Sequence, residues 1–148
     1  MLVYRLTSAK YTTLDGEGSR RYGGRWNSPG IPVVYTASSV SLAMLETRVH
    51  TRSLPKNYVR LTIEIPDAAF APKELLPSDL IPDWKADLAG TRRIGDLHFN
   101  AFPMVALRTP SVVVDAEFNL LFSPEFAQTF VRIVDNQPIS FDERLWRV

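Results

Sequence analysis

The alternation of apolar and polar positions is clearest between Tyr58 and Ile65. There Val59, Leu61, Ile63 and Ile65 fall on one side and Tyr58, Arg60, Thr62 and Glu64 on the other. This is the two-residue period of a strand with one buried face, and Pro66 stops it. A shorter alternation opens the chain at Leu2 to Leu6, and the β-branched and aromatic run Ile31 to Thr36 reads as a further strand. Leu42, Leu45 and Val49 then recur at helical spacing behind Ser38 or Ser39, either of which can cap the first turn. That helix should end near His50 to Leu54. Pro66, Pro72, Pro77 and Pro82 forbid a long helix in the middle, so Asp67 to Pro82 reads as loops with short helical turns.

In the second half a helix is expected at about Gly95 to Asn100, with an earlier start allowed. Met104 to Leu107, Val112 to Val114 and Asn119 to Phe122 read as three short strands, Val131 to Val134 as another, and Phe141 to Trp146 as a terminal element. Strands outnumber helices without alternating regularly with them. The expectation is an α+β fold, a single domain over 1–148 with a mixed or antiparallel sheet and short helices.

Composition narrows the class. The chain has 148 residues, 45% hydrophobic and 22% charged, with a formal net charge of +1, which fits one soluble globular domain able to bury a real core. Cysteine is absent, so disulfides, thiolate metal sites and a thiol nucleophile are excluded. The first residues turn polar too quickly for a signal peptide, and no apolar run approaches the roughly 18 residues of a membrane span. A cytoplasmic protein without membrane contact is expected. The balanced charge gives no reason to expect bulk nucleic-acid binding, although Arg20, Arg21 and Arg25 form one local cationic patch suited to a small anion.

That patch lies in a glycine-rich stretch from Asp15 to Gly30, read as a loop, whose most distinctive part is Tyr22-Gly23-Gly24-Arg25-Trp26-Asn27-Ser28-Pro29-Gly30. Glycines let a backbone approach a ligand, and arginines hold phosphate through charge-assisted bonds; a turn with solvated arginines is the alternative. Gly16-Glu17-Gly18 begins like a dinucleotide fingerprint, but Arg21 stands where the third glycine belongs, and no Walker phosphate loop is present. Tyr22, Trp26 and Tyr35 could stack on an aromatic base or belong to the core.

Glu46 is the second anomaly. It lies about 60° from the centre of the Leu42, Leu45, Val49 stripe at about 100° per residue, which turns it toward the interior. A carboxylate there needs a partner, such as an arginine or His50 one turn on, or a polar cleft in which it acts. One carboxylate does not make the usual glycosidase pair. It would suffice where the leaving group is already cationic, as nicotinamide is in its dinucleotide, because no acid is then needed and the carboxylate stabilises the oxocarbenium-like centre. His50 and His98 are far apart and lack further ligands at metal spacing, so no metal is expected. Ser111 has no Gly-x-Ser-x-Gly surroundings and is no hydrolase nucleophile, though it can still hydrogen-bond in a site.

In this order, Gly16-Glu17-Gly18, the Tyr22 to Gly30 run, Val33-Val34-Tyr35, Leu42-Ala43-Met44-Leu45-Glu46 and Pro110-Ser111 resemble the RES domain family, toxins of RES-Xre toxin–antitoxin systems. The resemblance continues through Ile63-Glu64-Ile65-Pro66, Gly95-Asp96, Asn119-Leu120-Leu121 and Phe141 to Leu145. It departs where the family usually has Asn-Pro with a histidine nearby; this chain has Ser123-Pro124-Glu125-Phe126, which bears on local loop structure and on substrate edge contacts. The family's name-giving arginine, glutamate and serine correspond to Arg25, Glu46 and Ser111.

The resemblance implies a compact fold similar to ADP-ribosyltransferases around an NAD cleft, and cleavage of the nicotinamide–ribose bond, with NAD as substrate and no separate cofactor. Arg25 would bind the phosphates or ribose edge and Tyr35 would pack on the nicotinamide side. Glu46 would stabilise the ribosyl cation or orient its hydroxyl, and Ser111 would fix the nicotinamide–ribose end. Tyr22 would help shape the pocket. NAD degradation by water or phosphate is the leading reading, transfer to a protein the second, and a silent binding module the third. The implied partner is an Xre-type helix-turn-helix antitoxin, with a homodimer or a hetero-oligomer as the assembly and no nucleic acid bound directly.

Overall fold

The computed structural model describes residues 1–67 and 71–147. Its strands are β1 (Leu2–Ser8), β2 (Val34–Ala37), β3 (Tyr58–Glu64), β4 (Lys73–Glu74), β5 (Leu107–Pro110), β6 (Phe118–Phe122) and β7 (Arg132–Ile139). They form one sheet in the order β4-β5-β6-β2-β1-β3-β7. Only β4 and β5 run parallel; the other pairs are antiparallel, so the sheet is mixed as the α+β reading expects. The helices are α1 (Glu17–Tyr22), α2 (Val40–His50), α3 (Leu88–Ala101) and α4 (Pro124–Phe130).

The sheet buries both faces. On one, Val3, Val34, Leu61, Ile63 and Phe122 pack against Phe126 and Ala127 of α4. On the other, Leu107 and Leu121 join Trp26, Trp84 and Phe99 of α3, while Ala37 receives Leu42 and Ala43 of α2. The alternation read in β3 is realised, with Val59, Leu61, Ile63 and Ile65 all buried.

Several elements differ from expectation for identifiable reasons. The Asp15 to Gly30 stretch is not all loop, because it contains α1. Asp15 accepts from the Glu17 amide, and Glu17 then pairs with Arg20 and Arg21 one turn on, Arg20 leading in holding its carboxyl down to about 2. Val112 to Val114 is a turn rather than a strand, since the amides of Val113 and Val114 donate to Ser111 Oγ instead of to a neighbouring strand. The expected Met104 to Leu107 strand lies later, at β5. Pro110 ends it beyond the two residues that pair with β4, where no neighbour needs its missing N–H on that side.

Ser123-Pro124-Glu125 starts α4: Ser123 caps the Phe126 amide, and proline occupies the first turn. Strand β7 outruns the expected Val131 to Val134, continuing as an edge strand through Pro138. The reading of Asp67 to Pro82 lies partly on 68–70, outside the described residues. The rest of that segment holds β4 and a single 3-10 turn, Pro77–Asp79.

Helix α2 begins as expected at Ser39, whose side chain accepts from the Leu42 amide. The face it buries is not the predicted stripe, however. Leu42 and Ala43 are buried, while Leu45 and Val49 are 38% and 57% exposed. Positions 39, 42, 43, 46 and 50 follow the i, i+3, i+4 rule along one side, and that side carries Glu46.

Candidate active site

Glu46 reaches from α2 onto the sheet at β6. Its Oε1 accepts two hydrogen bonds, from Ser111 Oγ at 3.0 Å and from Asn119 Nδ2 at 2.9 Å. Strand register puts Asn119 there: it pairs with Ala37 of β2 on one side and Thr109 of β5 on the other, and the small Ala37 side chain leaves α2 close to the sheet. Ser111 is 2% exposed, and its oxygen accepts from the amides of Val113 and Val114 at 3.0 and 3.1 Å. Its one proton therefore goes to Glu46, and Ser111 reaches a ligand only through that carboxylate. Glu46 Oε2 lies toward His50, with Nε2 at 3.9 Å and the imidazole 75% exposed. Of the partners expected for Glu46, His50 is the one that lies nearby, on the Oε2 side, while two neutral donors hold Oε1.

Arg25 stands on the adjoining wall. Its Nη1 donates to the carbonyl of Lys85 at 2.9 Å, and Lys85 Nζ bonds Asp115 at 2.5 Å in the turn that follows Ser111. The arginine segment and the serine turn are joined through this lysine.

Most of the glycine-rich motif serves to hold that wall. Trp26 and Asn27 are buried. Asn27 Nδ2 donates to the carbonyls of Ser19, Ser28 and Ile31, and its Oδ1 accepts from the Tyr35 hydroxyl at 2.6 Å. That hydroxyl in turn accepts from the Trp26 amide, and burial pushes its pKa up. Helix α3 clamps the segment from outside: Thr91 donates to the Arg25 carbonyl, Arg92 to the Gly24 carbonyl, and Asp96 accepts from the amide and hydroxyl of Ser28. A Cβ on Gly95 would collide with the Trp26 carbonyl, and one on Gly24 would meet the Tyr35 hydroxyl at 2.5 Å, so both glycines are there for close approach.

The structure therefore joins Glu46 and Ser111 directly and brings Arg25 to the neighbouring wall. Tyr35 sets its ring against the cluster containing Trp26 and Leu121, and its hydroxyl is committed to Asn27 and the Trp26 amide. Tyr22 stands apart at the end of α1, 77% exposed. Asn119 is the residue that sequence reasoning missed. Its signals were a polar side chain inside the apolar strand Phe118–Phe122, which the strand reading absorbed, and its place in the Asn119-Leu120-Leu121 part of the family resemblance, which was given no role. A surface groove of about 490 Å³ lined by Arg92, Arg93, Asp96 and Asn100 contains none of these groups. A half-buried carboxylate with two aimed donors marks a site better than concavity alone. Among the described residues no three His, Asp or Glu side chains are grouped to hold a metal, and no helix is long and apolar enough to cross a membrane.

A mixed sheet on which a helix glutamate is anchored, with an arginine segment tied to the adjoining turn, is the frame in which the family comparison falls. The chain matches the RES domain over residues 2–142, and it belongs to that family. It is 38% identical to the Toxin Res of Yersinia enterocolitica over 98% of this chain and 99% of that protein. It is 42% identical to the Prs ADP-ribosylating toxin of a Sphingobium strain, over 75% of this chain and 72% of that one. A shorter stretch, 29% of this chain and 24% of the other, is 50% identical to the NAD(+) phosphorylase MbcT of Mycobacterium tuberculosis. The fold is shared with the crystal structure of the M. tuberculosis MbcT–MbcA toxin–antitoxin complex, with a TM-score of 0.74 at 24% identity over 94% of this chain and 84% of that one.

Proposed function

We propose that this protein is the toxin of a toxin–antitoxin pair and that it cleaves the nicotinamide–ribose bond of NAD, depleting the cellular pool. The observation that carries the reading is the Glu46 carboxylate, held through Oε1 by Ser111 and Asn119 with Oε2 left on the exposed side. Nicotinamide departs with the electron pair of the C–N bond and becomes neutral, so no general acid is required. Positive charge moves to the ribosyl centre, where a fixed carboxylate stabilises it more than it stabilises the ground state. Arg25 binds the diphosphate or ribose edge, Tyr35 shapes the nicotinamide side, and Ser111 acts by holding Glu46. Tyr22 contributes at the rim. NAD is substrate, and this chemistry calls for no further cofactor.

The acceptor that completes the reaction is water or phosphate. The MbcT relative, named as a phosphorylase, supports phosphate. A second reading, transfer to a protein side chain, is favoured by the Sphingobium relative, which matches far more of the chain and is named as ADP-ribosylating. The structural neighbour is a toxin–antitoxin complex, which supports an antitoxin as partner; the Xre type rests on the sequence resemblance, and the cytoplasm, where NAD is abundant, is the expected compartment.

Purified protein incubated with NAD, with and without phosphate, should release nicotinamide in a Glu46-dependent manner. Chromatography of the other product identifies water or phosphate as acceptor. Nicotinamide release that appears only when bacterial lysate is added, with label retained on one protein, would replace degradation by protein modification. No release under any condition would sink both readings.

A further inference from the structure

The two oxygens of Glu46 are treated differently. Oε1 takes both donors, while among the described residues Oε2 has only the imidazole of His50, at 3.9 Å. A carboxylate held by a single hydroxyl still turns about its last torsion, which is broad and poorly defined. A second donor on the same oxygen, coming from another strand, fixes the plane. We propose that Asn119 is a positioning residue for the reaction: its amide locks the rotation of Glu46 so that Oε2 is the oxygen presented to the ribose. The inference rests on the NAD-cleaving reading above and assigns a role in it to a residue outside the arginine, glutamate and serine set.

The other end of the amide supports this. Among the described residues Asn119 Oδ1 is buried without a protein hydrogen-bond partner, and so is Thr109 Oγ1 on the residue directly opposite. Among the described residues the Asn119 side chain bonds no protein group except the carboxylate. Here one end is left unmade while the other makes a charge-assisted bond to the carboxylate. The orientation of the amide follows from that bond, since the reverse would set its oxygen against Glu46. A purely structural asparagine would cost stability when removed. In this arrangement the amide's protein bond runs to the candidate site and not to the surrounding frame, so stability and turnover should respond separately.

The test is steady-state nicotinamide release by Asn119→Ala, alone and combined with Glu46→Gln, beside thermal unfolding of each variant. Expected for Asn119→Ala is a fall in kcat of about 10- to 30-fold, KM within about twofold, and an unchanged or raised melting temperature. In the Glu46→Gln background the same substitution should cost nothing further, because its effect passes through the carboxylate. Asn119→Asp keeps the shape, removes the donor and sets a like charge against Oε1, so its kcat should fall at least as far. Near-normal kcat in Asn119→Ala, an equal loss in both backgrounds, or a loss that tracks the folded fraction would overturn the inference.

If the wild-type protein releases no nicotinamide, the functional reading falls by itself. The hold on Glu46 is then read from its carboxyl carbon resonance in labelled protein. Asn119→Ala must move that resonance and Asn100→Ala, on the outside of α3, must leave it in place; a resonance indifferent to Asn119 would overturn the inference independently of activity.

Discussion

The Tyr22 to Gly30 segment and the Glu46 cluster divide the site's labour unequally. The first is dense in distinctive residues, yet Trp26, Asn27 and Ser28, together with the close approach at Gly24, are committed to packing or to bonds with Tyr35, Thr91, Arg92 and Asp96. All of that holds one arginine in place. The second cluster is drawn from positions 46, 111 and 119, which lie far apart in the sequence, and it contains the Glu46 carboxylate. A conspicuous motif can therefore be mostly scaffold, while the candidate catalytic carboxylate sits in a cluster that helix α2, the Ser111 turn and the register of β6 bring together. Substitutions in the two regions should fail in different ways.

The sharpest contrast is Glu46→Gln. The amide keeps the size of the side chain and can still accept from Ser111 and Asn119, so the fold should hold, with a melting temperature within about 2 °C. Turnover should fall by about 10²- to 10³-fold, the size of effect seen when one group aimed at developing charge is removed. Kinetics and thermal unfolding on the same preparation check it. Loss of folding in step with activity would make Glu46 a structural residue and erase the contrast.

Asn27→Ala should give the opposite pattern. The side chain is fully buried and joins three carbonyls to the Tyr35 hydroxyl, so truncation strands several polar atoms at once. A loss of about 2–4 kcal/mol in urea unfolding is expected, with NAD turnover per folded molecule reduced because Arg25 loses its frame. Stability within 0.5 kcal/mol of wild type would mean that the clamp from α3 holds the segment without Asn27.

Arg25→Lys tests the side chain that this scaffold carries. Lysine keeps the charge but loses the planar fork, and with it the geometry shared between the Lys85 carbonyl and an anion. KM for NAD should rise about 10-fold with little change in kcat, the signature of binding common to ground and transition states. An equal drop in kcat at unchanged KM would move Arg25 into the chemistry beside Glu46.

How much of this the sequence disclosed follows the same division. Strand β3 was legible because its period of two is uninterrupted, and the start of α2 because Ser39 is a strong cap. Helices α1 and α4 were not, since the breakers around them, Gly16 and Pro124, read as loop while their short-range caps at Asp15 and Ser123 act over a single turn. Val112 to Val114 looked like a strand because β-branched propensity is visible and the pull of the Ser111 hydroxyl on two amides is not. In the site, the meeting of Glu46 with Ser111 followed from family resemblance rather than from spacing. Asn119 was seen in the resemblance but given no role, because its place beside Glu46 depends on which residues stand opposite it in β2 and β5.

Tyr22 gives the smallest expected effect and the most direct challenge to the comparison. It belongs to the distinctive motif, and a phosphate- and base-binding loop would give its ring a stacking role. The structure leaves it 77% exposed at the end of α1, away from the hydrogen-bonded frame around Asn27. Tyr22→Ala should change stability by no more than about 0.5 kcal/mol, the range of surface substitutions, and raise KM for NAD by about twofold at most through a lost rim contact. Calorimetric titration with NAD on the inactive Glu46→Gln background isolates binding from turnover. A 10-fold or larger weakening there would mean that the motif closes over the ligand as a cradle, and that its glycines serve the substrate as well as the scaffold.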